Sequence, residues 1–384
     1  MKILYDYQIF FSQNYGGISK CFAELISHLP KNVDSIIGIK ESNNIYLKEL
    51  GLVPGLKPLH WTSDNFIFPF YSKIQKKLLD WSSFIPFFKT PYNINKNYSI
   101  ELLKKGDFDV FHPTDFEDYY LPYIQGKPFI FTIHDMIPEL MGINPNVFQC
   151  RQKRLLAKKA THIIAVSENT KSDIMKILDI PEEKISVIYH AADTYSNFSC
   201  DVRKKNRLPQ KYFLYVGGRN SYKSFQKYLM HVATFFNENK DVYLICSGNP
   251  FNKDELKLID RLGLNGQIKS IFFSTEELMY AYANAIAFVF PSQYEGFGIP
   301  ILEALAMKCP VLLNNASCFP EIAQNSAIYF NLDDSESCTH ALEYIYNLSP
   351  IERSQLILNG TERAKFFSWE KSARQLTEVY KKFV

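Results

Sequence analysis

The sequence lacks the features that mark three large classes of protein. Its seven cysteines contain no Cys-x-x-Cys spacing, so we expect neither a zinc site nor a redox-active pair, and reduced thiols in a cytoplasm fit best. No apolar run approaches the roughly 18 residues that span a bilayer. The opening residues MKILYDYQIF do not have the pattern of a signal peptide. We therefore expect a cytoplasmic protein that is not integral to a membrane.

The sequence also has little excess charge. Its 43 Lys and Arg residues nearly balance 40 Asp and Glu residues, for a formal net charge of +3. Nucleic-acid-binding proteins usually carry a concentrated basic face, so that function is not expected. Hydrophobic residues make up 46% and charged residues 22%, a balance typical of a soluble globular chain. A length of 384 residues favours two domains of roughly 150 to 200 residues.

Short apolar runs alternate with helical patterns along almost the whole chain, which is typical of parallel βαβ architecture. Ser167 suits the N-cap of one such helix, in SENTKSDIMKIL. A polar stretch at about 200–211 interrupts the alternation and is the expected linker. We predict an α/β fold with two Rossmann-like, doubly wound domains, 1–203 and 208–366, that face each other across a cleft. Residues 367–384 are expected to form a helix that crosses back to the first domain.

The stretch AFVFPSQYEGFGIPILEALA carries the sharpest local signal, because ligands bind beyond the carboxyl ends of strands in such sheets. A strand leads into a loop, and Pro300 suits the first position of the next helix. The N–H groups of Phe297, Gly298 and Ile299 are then expected to favour an anion such as a diphosphate. Glu303 lies one turn further and leans back towards the same opening.

Two interpretations of the glutamates in this stretch remain open on spacing alone. Two acceptor oxygens on Glu303 suit the vicinal hydroxyls of a ribose, with Glu295 at the other side of the loop. Alternatively, Glu303 only offsets the helix dipole and Glu295 is a solvated loop residue.

Two further clusters follow predicted strands. In YVGGRNSYKS, Arg219 and Lys223 at a glycine turn suit a diphosphate, although a solvated turn would also accept both cations. His134 and Asp135 end the apolar run FIFTI. The histidine is expected in the cleft or in a structural position, and the aspartate can equally cap the next turn.

Together these segments resemble the retaining GT-B glycosyltransferases of family 4, which use nucleotide sugars. Glu295 and Glu303 match the E-x7-E signature of that family. The resemblance extends to YGGISKCFAELISHL, FTIHDMIP, HIIAVSENTKSDI, KISVIYHAAD, FLYVGGRNSYKSF and FFSWEKSA, and covers nearly the whole chain apart from residues about 40–105. One departure is Ser224, which stands where relatives often have Gly or Asn, so the resemblance does not define the geometry of this loop.

The resemblance implies a role for each candidate residue. The first domain would bind the acceptor and the second the donor. Glu295 would contact the transferred sugar and stabilise the oxocarbenium-like transition state without acting as a nucleophile, and His134 would polarise the reacting centre. These two form the expected catalytic set. The expected donor-binding residues are Gly17, Arg219, Lys223, Phe297, Gly298, Ile299 and Glu303. The expected acceptor-side residues are Gly16 and Asp135.

Two other segments are candidate sites. Asp107 and Asp109 form an Asp-x-Asp pair, but the pair begins a strand instead of ending one, so we expect no metal and no other cofactor. Residues 66–89 mix eight aromatics with four lysines. This segment is interpreted either as a core-packing insertion or as a peripheral contact with the inner face of a membrane or with a lipid acceptor.

The resemblance implies a metal-independent hexosyltransferase of surface polysaccharide assembly, such as lipopolysaccharide or capsule, acting on a saccharide acceptor that is lipid-linked. FSQNYGGISKCFAELI and YVGGRNSYKSF most resemble bacterial mannosyltransferases, which makes GDP-mannose the first choice of donor. Alternatives are a UDP-sugar or another nucleotide sugar, an epimerase or hydrolase that uses Glu295 and Glu303 as an acid/base pair, and a binding module without activity.

Overall fold

The computed structural model describes residues 1–59, 90–142, 147–192, 208–219 and 221–384. The aromatic segment and most of the expected linker lie outside these residues. Across the described ranges, every strand pair is parallel and helices lie between most successive strands. No helix within them is long and apolar enough to span a bilayer.

The first half of the chain builds two parallel sheets that meet side by side. Their orders are β2-β1-β3 and β4-β5-β6, and a parallel bridge between Phe111 and Phe129 joins them. The strands are β1 Lys2–Tyr5, β2 Asp34–Ile37, β3 Val110–His112, β4 Ile130–Ile133, β5 His162–Ala165 and β6 Ile185–Val187. The helices are α1 Gln8–Ser12, α2 Gly17–Ser27, α3 Ile45–Glu49, α4 Pro91–Lys105, α5 Ile137–Leu140, α6 Phe148–Lys159 and α7 Glu168–Leu178.

The second half builds one six-stranded sheet in the order β12-β11-β10-β7-β8-β9. The strands are β7 Lys211–Val216, β8 Val242–Ser247, β9 Ile268–Ile271, β10 Phe288–Phe290, β11 Val311–Asn314 and β12 Ala327–Phe330. The helices are α8 Phe225–Glu238, α9 Lys253–Arg261, α10 Thr275–Asn284, α11 Ile299–Ala306, α12 Phe319–Ala323, α13 Ser335–Tyr346, α14 Pro350–Lys365 and α15 Trp369–Lys381.

Local sequence explains where many of these elements begin and how deeply they are buried. Strand β4, with the sequence IFTI, is buried at all four positions, as expected for a parallel strand covered by helices on both faces. The predicted cap at Ser167 is confirmed, because its hydroxyl accepts a hydrogen bond from the N–H of Thr170 at the start of α7. Helix α11 begins at Ile299, so Pro300 is its second residue and not its first. Proline has no N–H, and at this position none is needed, because the first four N–H groups of a helix have no partner within it.

The two halves share a continuous apolar core. One group of buried side chains extends from Phe22 in the first half to Phe297 and Trp369 in the second. The final helix, α15, packs against the first half, where the hydroxyl of Tyr380 lies 2.8 Å from that of Tyr5. The loops that follow β4 and β10 also meet at the junction of the two halves, because a Cβ added at Gly296 would lie 1.7 Å from the carbonyl oxygen of His134.

Candidate functional site

The glycine loop after β10 leads directly into α11, as its sequence predicts. Gly298 is the N-cap of α11 and has a φ of +88°, a conformation that favours glycine. Phe297 is buried, and its ring packs edge-to-face on that of His190, with 5.2 Å between ring centroids. The loop therefore places the free N–H groups at the start of α11 beside the junction of the two halves.

Glu295 is paired with a lysine. Its Oε1 lies 2.5 Å from Nζ of Lys223, and the two side chains are only 12% and 16% exposed. The backbone of Glu295 is held by Ser317, whose hydroxyl accepts from its N–H at 3.3 Å and donates to its carbonyl at 2.6 Å. A carboxylate and an ammonium thus lie together at the carboxyl edge of the second sheet.

The loop that carries Lys223 has an unusual backbone. Ser224 has a φ of +55° and a ψ of +24°, the left-handed region that Gly and Asn adopt at least cost. The loop is joined to the Glu295 loop by a hydrogen bond of 2.7 Å, donated by the N–H of Gln293 to the carbonyl of Tyr222. The backbone shape normally provided by glycine is therefore retained at Ser224 despite the different residue.

The structure separates the two predicted phosphate-binding cations. The Arg219 guanidinium donates from Nε to Glu255 Oε1 at 2.9 Å, and from Nη2 to the carbonyls of Asn249 and Pro250 at 2.8 and 3.0 Å. Arg219 and Glu255 are 9% and 4% exposed, and Glu255 also completes the capping box of α9. Arg219 is thus neutralised by a buried carboxylate, whereas Lys223 is the cation beside Glu295.

Glu303 faces the first half of the chain. The hydroxyl of Tyr282 donates to its Oε2 at 3.4 Å, and Nζ of Lys20 lies 3.9 Å from its Oε1. Lys20 belongs to α2, the helix that Gly16 caps and Gly17 begins. A Cβ added at Gly17 would meet no atom within 4 Å. The glycine turn of the first half therefore lies near the proposed ribose carboxylate, with open space above it.

His134 follows β4, and its ring stacks on that of His190 and meets that of Phe22 edge-to-face. Its ring centroid lies 5.4 Å from that of His190 and 5.6 Å from that of Phe22. Its buried Nε2 has no hydrogen-bond partner among the described residues. Burial, followed by the charge of Lys153, lowers the pKa of His134 to about 4, so the imidazole is neutral at neutral pH. A neutral ring with one unpaired nitrogen is suited to a hydrogen bond with a substrate.

The residue next to His134 has a structural role of its own. Asp135 Oδ1 accepts a hydrogen bond of 3.0 Å from the N–H of Ile137 at the start of α5. Below it, the buried ammonium of Lys153 donates to the Asp135 carbonyl at 3.0 Å and to Glu139 at 2.9 Å. The capping interpretation of Asp135 is therefore what its contacts support.

Sequence reasoning missed the residues that join the two halves around Glu295. The hydroxyl of Ser167 donates to the carbonyl of Gly296 at 2.7 Å. The hydroxyl of Tyr294 donates to Asp173 Oδ2 at 2.6 Å. The Ser167 side chain was predicted as a cap, but its second bond joins residues 129 positions apart, and no local pattern indicates such a contact. Lys20 was missed for the same reason.

The Asp-x-Asp pair has structural partners. Asp107 forms a 2.8 Å ion pair with the Lys2 ammonium, and Asp109 accepts from the Lys2 N–H at 2.7 Å. Within the described residues, no group of three or more His, Cys, Asp or Glu side chains is arranged to hold a metal ion.

Two family profiles match the chain, one in each half. The profile described as Glycosyltransferase Family 4 matches residues 15–195. The profile described as Glycosyl transferases group 1 matches residues 201–363. The second match contains Lys223, Glu295 and Glu303.

Characterised proteins and solved structures agree with these profiles. The chain is 30% identical over 196 residues to the O-antigen chain mannosyltransferase RfbU of Salmonella typhimurium, an alignment that covers 51% of this chain and 54% of that protein. It is 28% identical over 298 residues to O-antigen chain mannosyltransferase B of Escherichia coli, covering 70% and 75% of the two chains. Anabaena HepE, solved in complex with UDP and glucose, superposes with a TM-score of 0.70 at 16% identity, covering 99% of each chain. The fold is therefore the two-domain GT-B fold.

Proposed function

Because the chain belongs to glycosyltransferase family 4, a family of retaining hexosyltransferases, we propose that it transfers mannose from GDP-mannose to a lipid-linked saccharide. The acceptor would be a growing surface polysaccharide such as O-antigen. The similarity to two O-antigen mannosyltransferases supports this choice of sugar. We assign donor binding to residues 208–366 and acceptor binding to residues 1–203, with 367–384 as the helix that returns to the first domain.

The observation that carries the proposal is the Lys223–Glu295 pair beside the start of α11. A bound diphosphate would compete with Glu295 for the Lys223 ammonium, because both are anions within reach of one cation. The lysine would then neutralise the charge that grows on the leaving diphosphate. Released from its partner, the Glu295 carboxylate would accept a hydrogen bond from a sugar hydroxyl and stabilise positive charge at the anomeric carbon.

The remaining roles follow from position. Glu303 would accept hydrogen bonds from the two ribose hydroxyls, replacing the long contact with Lys20. The N–H groups of Phe297, Gly298 and Ile299 would bind the diphosphate.

On the first-domain side of the cleft, Gly17 would allow the donor phosphates to approach the start of α2, and Gly16 would shape the acceptor side of that turn. His134, neutral and with an Nε2 that has no hydrogen-bond partner among the described residues, would bind a hydroxyl of the transferred sugar. Arg219 would act on the phosphate only after leaving Glu255, so we assign it the weaker contribution. Asp135 would face the acceptor while its carboxylate accepts the hydrogen bond from the N–H of Ile137.

The test combines donor binding with product analysis. Thermal-shift measurements with GDP-, UDP-, dTDP- and ADP-sugars should show the largest stabilisation with GDP-mannose, since ligand binding to the folded state raises its stability. Incubation of that donor with a lipid-linked saccharide should then yield a product whose new linkage retains the donor's anomeric configuration.

Other outcomes point elsewhere. Stabilisation by a UDP-sugar alone would change the donor, and conversion of the nucleotide sugar without an acceptor would indicate an epimerase or a hydrolase. Cleavage of oligosaccharide without a nucleotide would contradict the transferase assignment.

A further inference from the structure

We propose that the first domain positions the catalytic loop of the second domain through helix α7. The contacts are made by Ser167, Asp173 and the first turn of α7 on one side, and by Tyr294, Gly296 and Glu321 on the other. We call these contacts between α7 and the second domain the α7 clamp. The inference rests on the proposed function, and it adds a set of positioning residues that do not touch the substrate.

The first contact lies directly before Glu295 in the chain. The hydroxyl of Tyr294 donates to Asp173 Oδ2 at 2.6 Å, and Asn169 Nδ2 donates to the same oxygen at 3.0 Å. Tyr294 is buried, so the bond is largely shielded from water. A hydrogen bond to a charged acceptor is stronger than one between neutral groups, and here it joins the two domains.

The second contact lies directly after Glu295. The carbonyl of Gly296 accepts hydrogen bonds from Ser167 Oγ at 2.7 Å and from Thr170 Oγ1 at 3.2 Å. Both donors belong to the start of α7. The residues on either side of Glu295 are therefore bonded to one helix of the opposite domain.

The third contact holds the helix itself. Glu321 of the second domain accepts from the N–H of Glu168 at 2.7 Å and from the N–H of Asn169 at 3.1 Å. These N–H groups belong to the first turn of α7, which has no partner for them within the helix. A carboxylate is also the group that the positive end of the helix dipole favours. Glu321 thus caps α7 from across the domain boundary.

These contacts have one common consequence. Opening of the cleft breaks them together, whereas Lys223 and Glu303 both belong to the second domain and stay with it. Most of the proposed nucleotide contacts are therefore kept in the open form, whereas the bonds that α7 makes to Tyr294 and Gly296, on either side of Glu295, are lost. We therefore expect that loss of the α7 clamp lowers kcat much more than it lowers donor affinity.

The test uses Tyr294→Phe, Asp173→Asn and the double variant, with Tyr329→Phe as the matched control. Tyr329 makes a bond of similar length that lies within the second domain, from its hydroxyl to the carbonyl of Gln324 at 2.7 Å. Each clamp variant should lower kcat about tenfold or more, with donor Kd by calorimetry changed less than twofold. The double variant should be no worse than either single one, because the two residues share one bond. The control should keep wild-type kcat.

A measurement independent of turnover separates this inference from the proposed function. Small-angle X-ray scattering should show a larger radius of gyration for Tyr294→Phe and Asp173→Asn than for wild type and Tyr329→Phe. Wild-type kcat and scattering in both clamp variants would overturn the inference. An equal loss of kcat and donor affinity would also overturn it, because it would indicate general damage to the fold. A wild-type chain that turns over no nucleotide sugar would instead contradict the proposed function, and the scattering would still decide whether the clamp closes the cleft.

Discussion

Gly296 is the position where a single methyl group should have the largest effect. A Cβ built there would lie 1.7 Å from the carbonyl oxygen of His134 and 2.8 Å from its carbonyl carbon. Both atoms are backbone, so no side chain can rotate away. The two loops would have to separate by roughly 1.5 Å to reach ordinary contact, because a well-packed interior does not deform gradually.

The cost of Gly296→Ala can be estimated from the contacts that this separation breaks. Overpacking typically costs about 1 to 3 kcal/mol. Lengthening the bonds from Ser167 and Thr170 to the Gly296 carbonyl adds about 1 kcal/mol for each bond. The sum, about 3 to 5 kcal/mol, opposes closure and not folding of either domain. It corresponds to a decrease of about 100-fold or more in the ratio of closed to open molecules.

The assay is steady-state transfer together with donor calorimetry. Gly296→Ala should lower kcat/KM about 100-fold while nucleotide affinity stays within a few-fold of wild type. Gly360→Ala is the matched control: its Cβ would lie 2.7 Å from Cδ2 of Leu305, the end of a flexible side chain, and 3.8 Å from Cβ and Cγ of the same residue. It lies inside α14, where alanine is favoured over glycine by about 1 kcal/mol, so activity should be retained. Retention of kcat/KM within fivefold of wild type in Gly296→Ala would refute the reasoning.

Four further outcomes are expected. Glu303→Gln should weaken nucleotide binding about tenfold by calorimetry, since a charged acceptor for two hydroxyls is lost; unchanged affinity would contradict the ribose assignment. Lys223→Met should lower kcat about 100-fold, and the loss should be smaller for donors with better leaving groups. Burial lowers the pKa of His112 to about 3 and that of His134 to about 4, so the unfolded chain binds more protons between these values and about 6.5. The stability that each neutral histidine contributes is complete above about pH 6.5 and is lost as pH falls. The free energy of unfolding should decrease by about 1.4 kcal/mol per histidine at pH 5.5, which urea unfolding can measure. Equal stability at pH 7.5 and 5.5 would exclude this. Ser224→Gly should raise stability by about 1 kcal/mol in the same assay by relieving its left-handed backbone, whereas Ser224→Val should lower it.

Much of the fold follows from short-range patterns. Buried runs such as β4 and caps such as Ser167 depend on residues within one or two turns of each other, so periodicity and side-chain chemistry are enough to predict them. The start of α11 was predicted to within one residue at Pro300.

Some features of the site can also be predicted from neighbouring residues, whereas others depend on residues distant in the sequence. Gly298 in its left-handed conformation and Glu303 one turn into α11 follow from the sequence around them. The chemistry of Arg219 does not, because its partner, Glu255, lies 36 positions along the chain. A cation at a glycine turn favours a phosphate only if no carboxylate is packed against it, and a local pattern contains no information about that.

The sequence by itself therefore determined the elements, their alternation, the anion-favouring start of α11 and the family signature that contains Glu295 and Glu303. Only the tertiary structure decided that Glu295 is paired with Lys223 and that α7 holds the loop on both sides of it. The physical reason is the separation along the chain over which each interaction acts. Backbone propensities and hydrophobic periodicity act over a few residues, whereas these bonds depend on how two separately built sheets face each other.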